Sequence, residues 1–596
     1  MRSLLSIPVA LLLAGAATAQ FNDKWTSFEA APAALPSGAS LSDDQHETDL
    51  DWADLDLDGD LDLVVVRKQP FTTEGRRSNV LLVNEGGVLV DRTATLAAAS
   101  DVAGDQGFLT PTNDRDVVIA DLDGDGYPEV ITATEQTTGL PKHVNHPRVY
   151  RNLGSAGGVW LGLRYEDARF PQLLHLGSGT PLVPRFPAVD AGDLDGDGDI
   201  DLYFGDHDTG TSLFGATQPF SEDLDDRLLL NDGSGYFTDA TASSLTYPMV
   251  ASGFCNSVEL ADVNQDGFVD IVKQSTYQSP SVLSVVYNDP LAPGSFSTQT
   301  AVSPPSPYFM STGDLNGDGR LDLAITSNAD DYVILNQGNL PDGTVDWTAP
   351  VDLELLVGDE PIGTFPISFG SNNLITDLDG DGFAELLIAD VDVEVALYEP
   401  DFRLHLYHNR GAAPGTVELV EEAASPAGDG WVGAHGLSAS DLRWVHDVAA
   451  FDVDGDGLQD LVLSRREGTQ VWRQVPPPTC QQDLGFGDGL VLEVCGGDLA
   501  TGSDATLTLF AAAPATPVLL ALGTVANPTP LPTLGLTLVP VPVAAFINLA
   551  TGPAGELSLS VPGGGGPATL VVQAFQLDPG GASISSSNAL AVQLLP

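Results

Sequence analysis

Seven short acidic segments carry the densest chemistry of this chain. Read from the first aspartate, they are DLDLDGDLD (from residue 54), DLDGDGYPE (121), DLDGDGDID (193), DVNQDGFVD (262), DLNGDGRLD (314), DLDGDGFAE (377) and DVDGDGLQD (452). Side-chain oxygens recur at alternate positions. Position 1 is Asp54, Asp121, Asp193, Asp262, Asp314, Asp377 or Asp452, and position 3 is Asp56, Asp123, Asp195, Asn264, Asn316, Asp379 or Asp454. Position 5 is Asp58, Asp125, Asp197, Asp266, Asp318, Asp381 or Asp456, and position 9 is Asp62, Glu129, Asp201, Asp270, Asp322, Glu385 or Asp460. Position 6 is always glycine, where a sharp turn is needed. Position 7 varies freely among Asp60, Tyr127, Asp199, Phe268, Arg320, Phe383 and Leu458, which a ligand supplied by a backbone carbonyl permits. Hard oxygen ligands in this spacing suit Ca²⁺, and the pattern holds nothing soft to favour zinc or copper. Up to seven Ca²⁺ sites are expected. Asn264 and Asn316 each remove a charge, so the fourth and fifth should bind more weakly.

The elements that position these residues are strands rather than helices. An EF-hand takes a bidentate Glu from position 12, but in the first copy that position is Val65, inside the run LDLVVV. DLYFG, ELLIAD and DLVLS follow other copies and read as buried strands. Each repeat continues in one order: a strand into the loop, a second out of it, a third ending near Asn as in NVLLVNEGG or RLLLNDGSG, and a fourth such as YFTDATA. The loops recur at intervals of 67, 72, 69, 52, 63 and 75 residues. Four strands per repeat, seven times, predict an all-β fold with a seven-bladed β-propeller.

On these motifs the chain resembles the FG-GAP and VCBS-type repeat proteins, relatives of the integrin alpha-subunit propeller, over roughly residues 25 to 475. Flanking Phe-Gly and Gly-Ala-Pro motifs are mostly absent, although Phe369-Gly370 precedes the sixth loop, so the likeness is to the bacterial secreted style. It implies a calcium-binding propeller and carries over no integrin-type partner. The seventh repeat stops at TQVWRQVPPP without a fourth strand, while WTSFEAAPA, Trp25 to Ala33, resembles YFTDATA and precedes the first repeat. That N-terminal strand is expected to complete the last blade and cover its edge.

Composition sets the setting. A hydrophobic content of 43% with 63 glycines describes a globular protein rich in turns, and 18% charged residues is too few for a disordered acidic chain. A formal charge of −60 repels nucleic acid and anionic lipid. Residues 1–19 read as an export signal, with Arg2, an apolar run from Leu4 to Ala14 and the small-residue site Ala17-Thr18-Ala19. No later apolar run of spanning length escapes breaks, so a secreted or cell-surface protein without a membrane span is expected. The propeller takes residues 20–475 and Pro476 to Pro478 form a linker. Residues 479–596 lack Lys, Arg, His, Trp and Tyr, and their alternating runs such as ATLTLF and ELSLSV predict a small C-terminal β-sandwich. Cys480 and Cys495 flank its first strand and could pair on export; Cys255 reads as a small buried residue.

Loops on the face opposite the acidic turns are where a ligand would bind. Only 23 residues are basic, and several fall there in neighbouring blades: Arg465 and Arg466, then Arg67, Lys68, Arg76 and Arg77, then Lys142 with His143 and His146. Asp49, Asp116 and Asp447 each stand five residues before their loop, next to His46, Arg115 and His446. One reading is a pocket for an anionic polysaccharide formed by Arg67, Lys68, Arg76, Arg77, Arg115, Lys142, His446, Arg465 and Arg466. The other is that the arginines pair with the abundant acids and the three aspartates hydrogen-bond between blades. No nucleophile elbow, zinc signature, phosphate loop or cofactor fingerprint is present. The expected function is therefore ligand binding or adhesion to a polysaccharide or a surface protein. The alternative is a calcium-dependent polysaccharide lyase or hydrolase.

Overall fold

Each acidic segment forms the turn of a hairpin in the computed structural model, which describes residues 26–35, 47–68, 76–135, 140–207, 225–247, 249–275, 282–302, 307–327, 331–353, 370–390, 404–409, 414–421, 433–434, 437–465, 468–475, 481–486, 489–496, 499–510, 515–532, 534, 536–552, 557–564, 566–577 and 584–596. The chain is all-β, with many antiparallel sheets, and divides into two compact units, 1–475 and 476–596. The expected export signal, His46, Arg466 and Cys480 lie outside the described residues.

Among the described residues, the first unit holds seven sheets of one design. Their first and second strands are Glu47–Ala53 and Asp62–Lys68, Asp114–Ala120 and Glu129–Thr134, Ala188–Gly192 and Asp201–Gly205, Val258–Ala261 and Asp270–Ser275, Pro307–Gly313 and Asp322–Ser327, Gly370–Thr376 and Glu385–Asp390, and Val445–Phe451 and Asp460–Arg465. In all seven, position 9 opens the second strand and pairs with the last residue of the first strand, as in Ala53↔Asp62 and Phe451↔Asp460. A third and a fourth strand complete each sheet, and the second sheet adds Ala99–Ser100 as a fifth. The seventh takes its last strand from the other end of the unit. Ser27–Ala30 pairs antiparallel with Gln470–Val475, from Ser27↔Val475 to Ala30↔Trp472, as the sequence predicts.

Apolar packing lies between the sheets rather than in one centre. Leu63, Val65 and Val80 of the first sheet pack with Phe451, Val462 and Val471 of the seventh. Val64 and Val66, on the opposite face of the same strand, pack with Val117 and Val130 of the second. Alternation along a strand thus serves two neighbours, which is why these second strands read as unbroken apolar runs. The same holds for each following pair of sheets. First strands pack beside first strands in succession, and that of the seventh sheet packs beside that of the first.

In the second unit, Val543–Ala550, Pro517–Gly523, Ala568–Leu577, Ile584–Leu594, Gly489–Gly496, Ala505–Phe510 and Leu557–Val561 lie side by side in that order. Its core holds Leu492, Leu509, Leu520 and Ala574. Among the described residues, no helix is long and apolar enough to cross a membrane.

Candidate functional site

The seven turns share their internal geometry. The carboxylate of position 1 accepts the N–H of the position 6 glycine in every copy, at 2.7 to 3.1 Å. The position 5 carboxylate accepts the N–H of position 7 in every copy, from Asp60 to Leu458. These bonds curl the turn inward and leave its oxygens converging. The position 6 glycines all adopt positive φ, between 84° and 101°, which explains why no other residue stands there. Position 4 is also left-handed, and there Leu57 (φ 59°) and Gln265 (φ 56°) replace glycine.

Position 9 has a second task that its spacing does not reveal. Its carboxylate is buried and accepts the N–H of an amide residue in the third strand or, for Asn336, just past it: Asn84, Asn152, Asn231, Asn288, Asn336, Asn409 or Gln474. In six of the seven it also accepts the N–H of position 2, as from Leu55 to Asp62 at 3.1 Å. The amide side chain then reaches the preceding sheet. Asn152 Nδ2 donates to Leu55 O, Asn231 to Leu122 O, Asn288 to Leu194 O, Asn336 to Val263 O, Asn409 to Leu315 O, Gln474 Nε2 to Leu378 O and Asn84 Nδ2 to Val453 O, all within 2.6 to 2.9 Å. Every turn is therefore pinned at position 2 by its neighbour. The recurrent Asn closing the third strand was the visible trace of this link, but its partner could not be read from the chain.

Could these turns hold a hard cation? Asp54, Asp56 and Asp58, Asp193, Asp195 and Asp197, Asp377, Asp379 and Asp381, and Asp121, Asp123 and Glu129 each bring three carboxylates within 4.8 Å of one another. Asp121 Oδ1, Asp123 Oδ1, Asp270 Oδ2 and Asp454 Oδ1 are buried without a hydrogen-bond partner. Burial, with the neighbouring loop aspartates adding to it, pushes the position 9 carboxyls up to about 7 at Asp62, Asp201 and Asp322 and to about 9 at Glu385. Orphaned oxygens and crowded carboxylates fit a divalent ion.

Several turns already hold basic side chains. Asp123 faces Arg151 (3.3 Å) and Arg169 (3.5 Å), Asp379 faces His408 (3.6 Å) and Asp454 faces Arg473 (3.1 Å). Arg320, at position 7 of the fifth turn, contacts Asp318 and donates to Asn336 O at 2.9 Å.

The residues expected to bind an anion are dispersed among other partners. Arg67 is buried and donates to Ser78 O (2.7 Å) and Ser78 Oγ (3.0 Å), and Arg465 is buried and donates to Arg443 O (3.2 Å). Lys142 pairs with Asp167 (3.2 Å) and Arg115 with Glu135 (3.4 Å). Arg77 donates to Arg76 O, and Arg76 is exposed. Lys68 ends its strand. Among the described residues of this set, Arg115 and His446 line the cavity between the first strands, with Asp49, Asp116 and Asp447.

Those aspartates join sheets. Asp447 Oδ2 accepts Leu50 N–H (2.8 Å), Asp49 Oδ2 accepts Val117 N–H (3.2 Å) and Asp116 Oδ2 accepts Val189 N–H (2.7 Å). Asp51 and Asp190, which the sequence reading passed over, do the same for Ile119 N–H (2.7 Å) and Leu260 N–H (2.6 Å). Glu259 belongs with them, its Oε2 accepting Thr312 Oγ1–H at 3.3 Å. Its place two residues after Asp49, on the same face of the strand, was the signal for Asp51.

A family model for FG-GAP-like repeats matches residues 193–272 and 314–388, which span the third to sixth turns. No curated protein matches the chain. Among solved structures, a tetra-tandem repeat in the extending region of a large adhesion protein is similar at 13% identity, over 92% of this chain and 99% of that one, with a TM-score of 0.12. That score is too low to bear on fold or function.

Proposed function

We propose that this chain, whose residues 193–272 and 314–388 match a model for FG-GAP-like repeats, is an exported, calcium-stabilised seven-bladed β-propeller of the FG-GAP repeat type with a C-terminal β-sandwich, acting in ligand binding or adhesion. The observation that carries the calcium reading is the common geometry of the seven turns, with four buried carboxylate oxygens left without a partner. Positions 1, 3, 5 and 9 would hold the ion, with the position 7 carbonyl as a neutral ligand. A bound Ca²⁺ supplies charge neutralisation and a crosslink through the turn. Seven such ions would bring the formal charge from −60 to −46. The first and third turns are the strongest, since their carboxylates are all Asp and face no basic side chain among the described residues. The propeller reading draws on the seven sheets, the apolar packing between each successive pair and the N-terminal strand in the seventh.

The ligand is proposed to be an anionic polysaccharide or a surface protein. Affinity electrophoresis through gels with neutral or acidic polysaccharide, with calcium present, tests this. Retardation in acidic gels, reduced by R76A/R77A, is expected. Arg465 is left out of the variant because it is buried against a backbone carbonyl, so its loss would report on folding. Equal mobility in every gel overturns the polysaccharide reading and leaves the protein ligand.

One observation favours a second reading. Arg115, His446, Asp49 and Asp447 line a common cavity, as a polysaccharide lyase or hydrolase would require of a base and a charge clamp. Shortening of the retained polysaccharide would establish it, and an unchanged length distribution would remove it.

A further inference from the structure

The cavity between the first strands has a volume of about 330 Å³. Seven carboxylates line it, and six of them stand at two levels. Asp49, Asp116 and Asp447 stand five residues before their turns, and Asp51, Asp190 and Glu259 stand three before. A two-residue interval keeps both levels on one face of a strand. The charge of Asp116 is felt by the other five of these six.

Joining the sheets does not require this charge. Elsewhere on the same strands neutral groups do that work: Ser257 Oγ accepts Met310 N–H and donates to Met310 O, and Ser311 Oγ–H bonds Asn373 Oδ1. Asn and Ser would serve at every joint, yet six acids face one another. A carboxylate oxygen that accepts one N–H keeps a further lone pair. A separate observation points the same way. Asn256 lines the cavity, is 6% exposed, and its Oδ1 has no hydrogen-bond partner. Buried acceptors without partners are costly and call for a donor or a cation. Of the basic groups at the cavity among the described residues, Arg115 is turned to Glu135 and His446 is buried beside Asp447.

We propose that the cavity is a cation site separate from the hairpin turns, holding one hydrated divalent metal ion among Asp51, Asp116, Asp190 and Glu259, with Asn256 Oδ1 as a neutral acceptor. Its volume admits on the order of ten waters at their liquid share, enough for an ion that keeps part of its hydration shell, as hard divalent ions do. The remaining carboxylate lone pairs then bind the ion directly or through its waters. The site does not depend on the turns being occupied.

Crystals of the whole chain soaked in Mn²⁺ test it by anomalous scattering. A peak within the cavity near Asp116 and Asp190 is expected, whether or not peaks stand at the turns. In solution, equilibrium dialysis with Mn²⁺ should show one equivalent lost in D116N, whose amide oxygen can still accept Val189 N–H. N256L, which removes no charge, should weaken that equivalent at least tenfold and so stands in if D116N does not fold. D193N/D195N should lose a different equivalent and keep the cavity peak. A cavity without anomalous density at saturating Mn²⁺, or unchanged stoichiometry and affinity in folded N256L and D116N, overturns the proposal. Peaks absent at the turns but present in the cavity would overturn the calcium-turn reading and leave this one standing.

Discussion

The two units of this chain are both mainly antiparallel β-structures, each with one parallel strand pair among the described residues, yet different interactions make their joints. In residues 476–596 there is no basic side chain, and a core of Leu492, Leu509, Leu520, Val572 and Ala574 holds the strands together. In the repeat unit the apolar packing is divided among neighbouring sheets, and each junction adds an addressed polar link: a third-strand amide to the turn before it, and inner carboxylates to the next strand. Apolar burial is non-directional and tolerates many pairings. A hydrogen bond between a named amide and a named carbonyl admits one register, so the repeat unit gains specificity where its seven similar sheets could otherwise exchange places. The cost is a concentration of negative charge that the C-terminal unit does not have.

Removing calcium would break the comparison most strongly. If the turns hold the ion, each site filled at a hundred times its Kd contributes about 2.7 kcal/mol, so chelator should lower the first unit's thermal transition by tens of degrees. The transition of residues 476–596 should stay where it is. Calorimetry with and without chelator separates them, and a first transition that does not move would leave the turns without a structural ion.

A smaller effect is expected from a single link. Asn231→Ala deletes the bonds to Leu122 O (2.8 Å) and Ile200 O (2.9 Å) and those accepted from Gly233 and Gly235. The loss should be about 3 kcal/mol, since buried carbonyls are left unsatisfied. Denaturant unfolding checks it, and a loss below about 0.5 kcal/mol would make the link incidental.

Acid should reveal a difference between the units too, because only the repeat unit has histidines. Burial, with Lys142 beside it, lowers His146 to about 3 from an ordinary 6.5. A lowered histidine contributes stability that is complete above about 6.5 and is lost as pH falls toward 3. Between pH 6.5 and 5 the wild-type chain should lose about 2 kcal/mol relative to His146→Gln. Parallel pH profiles for the two proteins would show that His146 is not held neutral.

The smallest effect sharpens the comparison at one residue. Leu57, exposed, occupies a left-handed position that glycine fills in five other turns. Leu57→Gly should stabilise the first turn by no more than about 1 kcal/mol, read as a raised first transition with the second unmoved.

Much of the fold could be read along the chain. The hairpin turns, the strands leaving them and the N-terminal strand of the seventh sheet rest on patterns within about a dozen residues, where sequence spacing is spatial spacing. The arginines show the limit. Arg67 and Arg465 read as part of an arc on the face opposite the turns, but each is buried against a backbone carbonyl whose position no local pattern gives. Arg151, Arg169 and Arg473, which drew no attention, face turn aspartates instead.

The sequence by itself therefore determined the acidic pattern of each turn, because alternate residues in a tight hairpin converge whatever surrounds them. Only the tertiary structure decided what those turns are tied to. The link from Asn84 to Val453 spans 369 residues and the bond from Leu50 to Asp447 spans 397. Such partners meet because the sheets stack side by side, and hydrogen bonding selects among acceptors only once packing has brought them within about 3 Å.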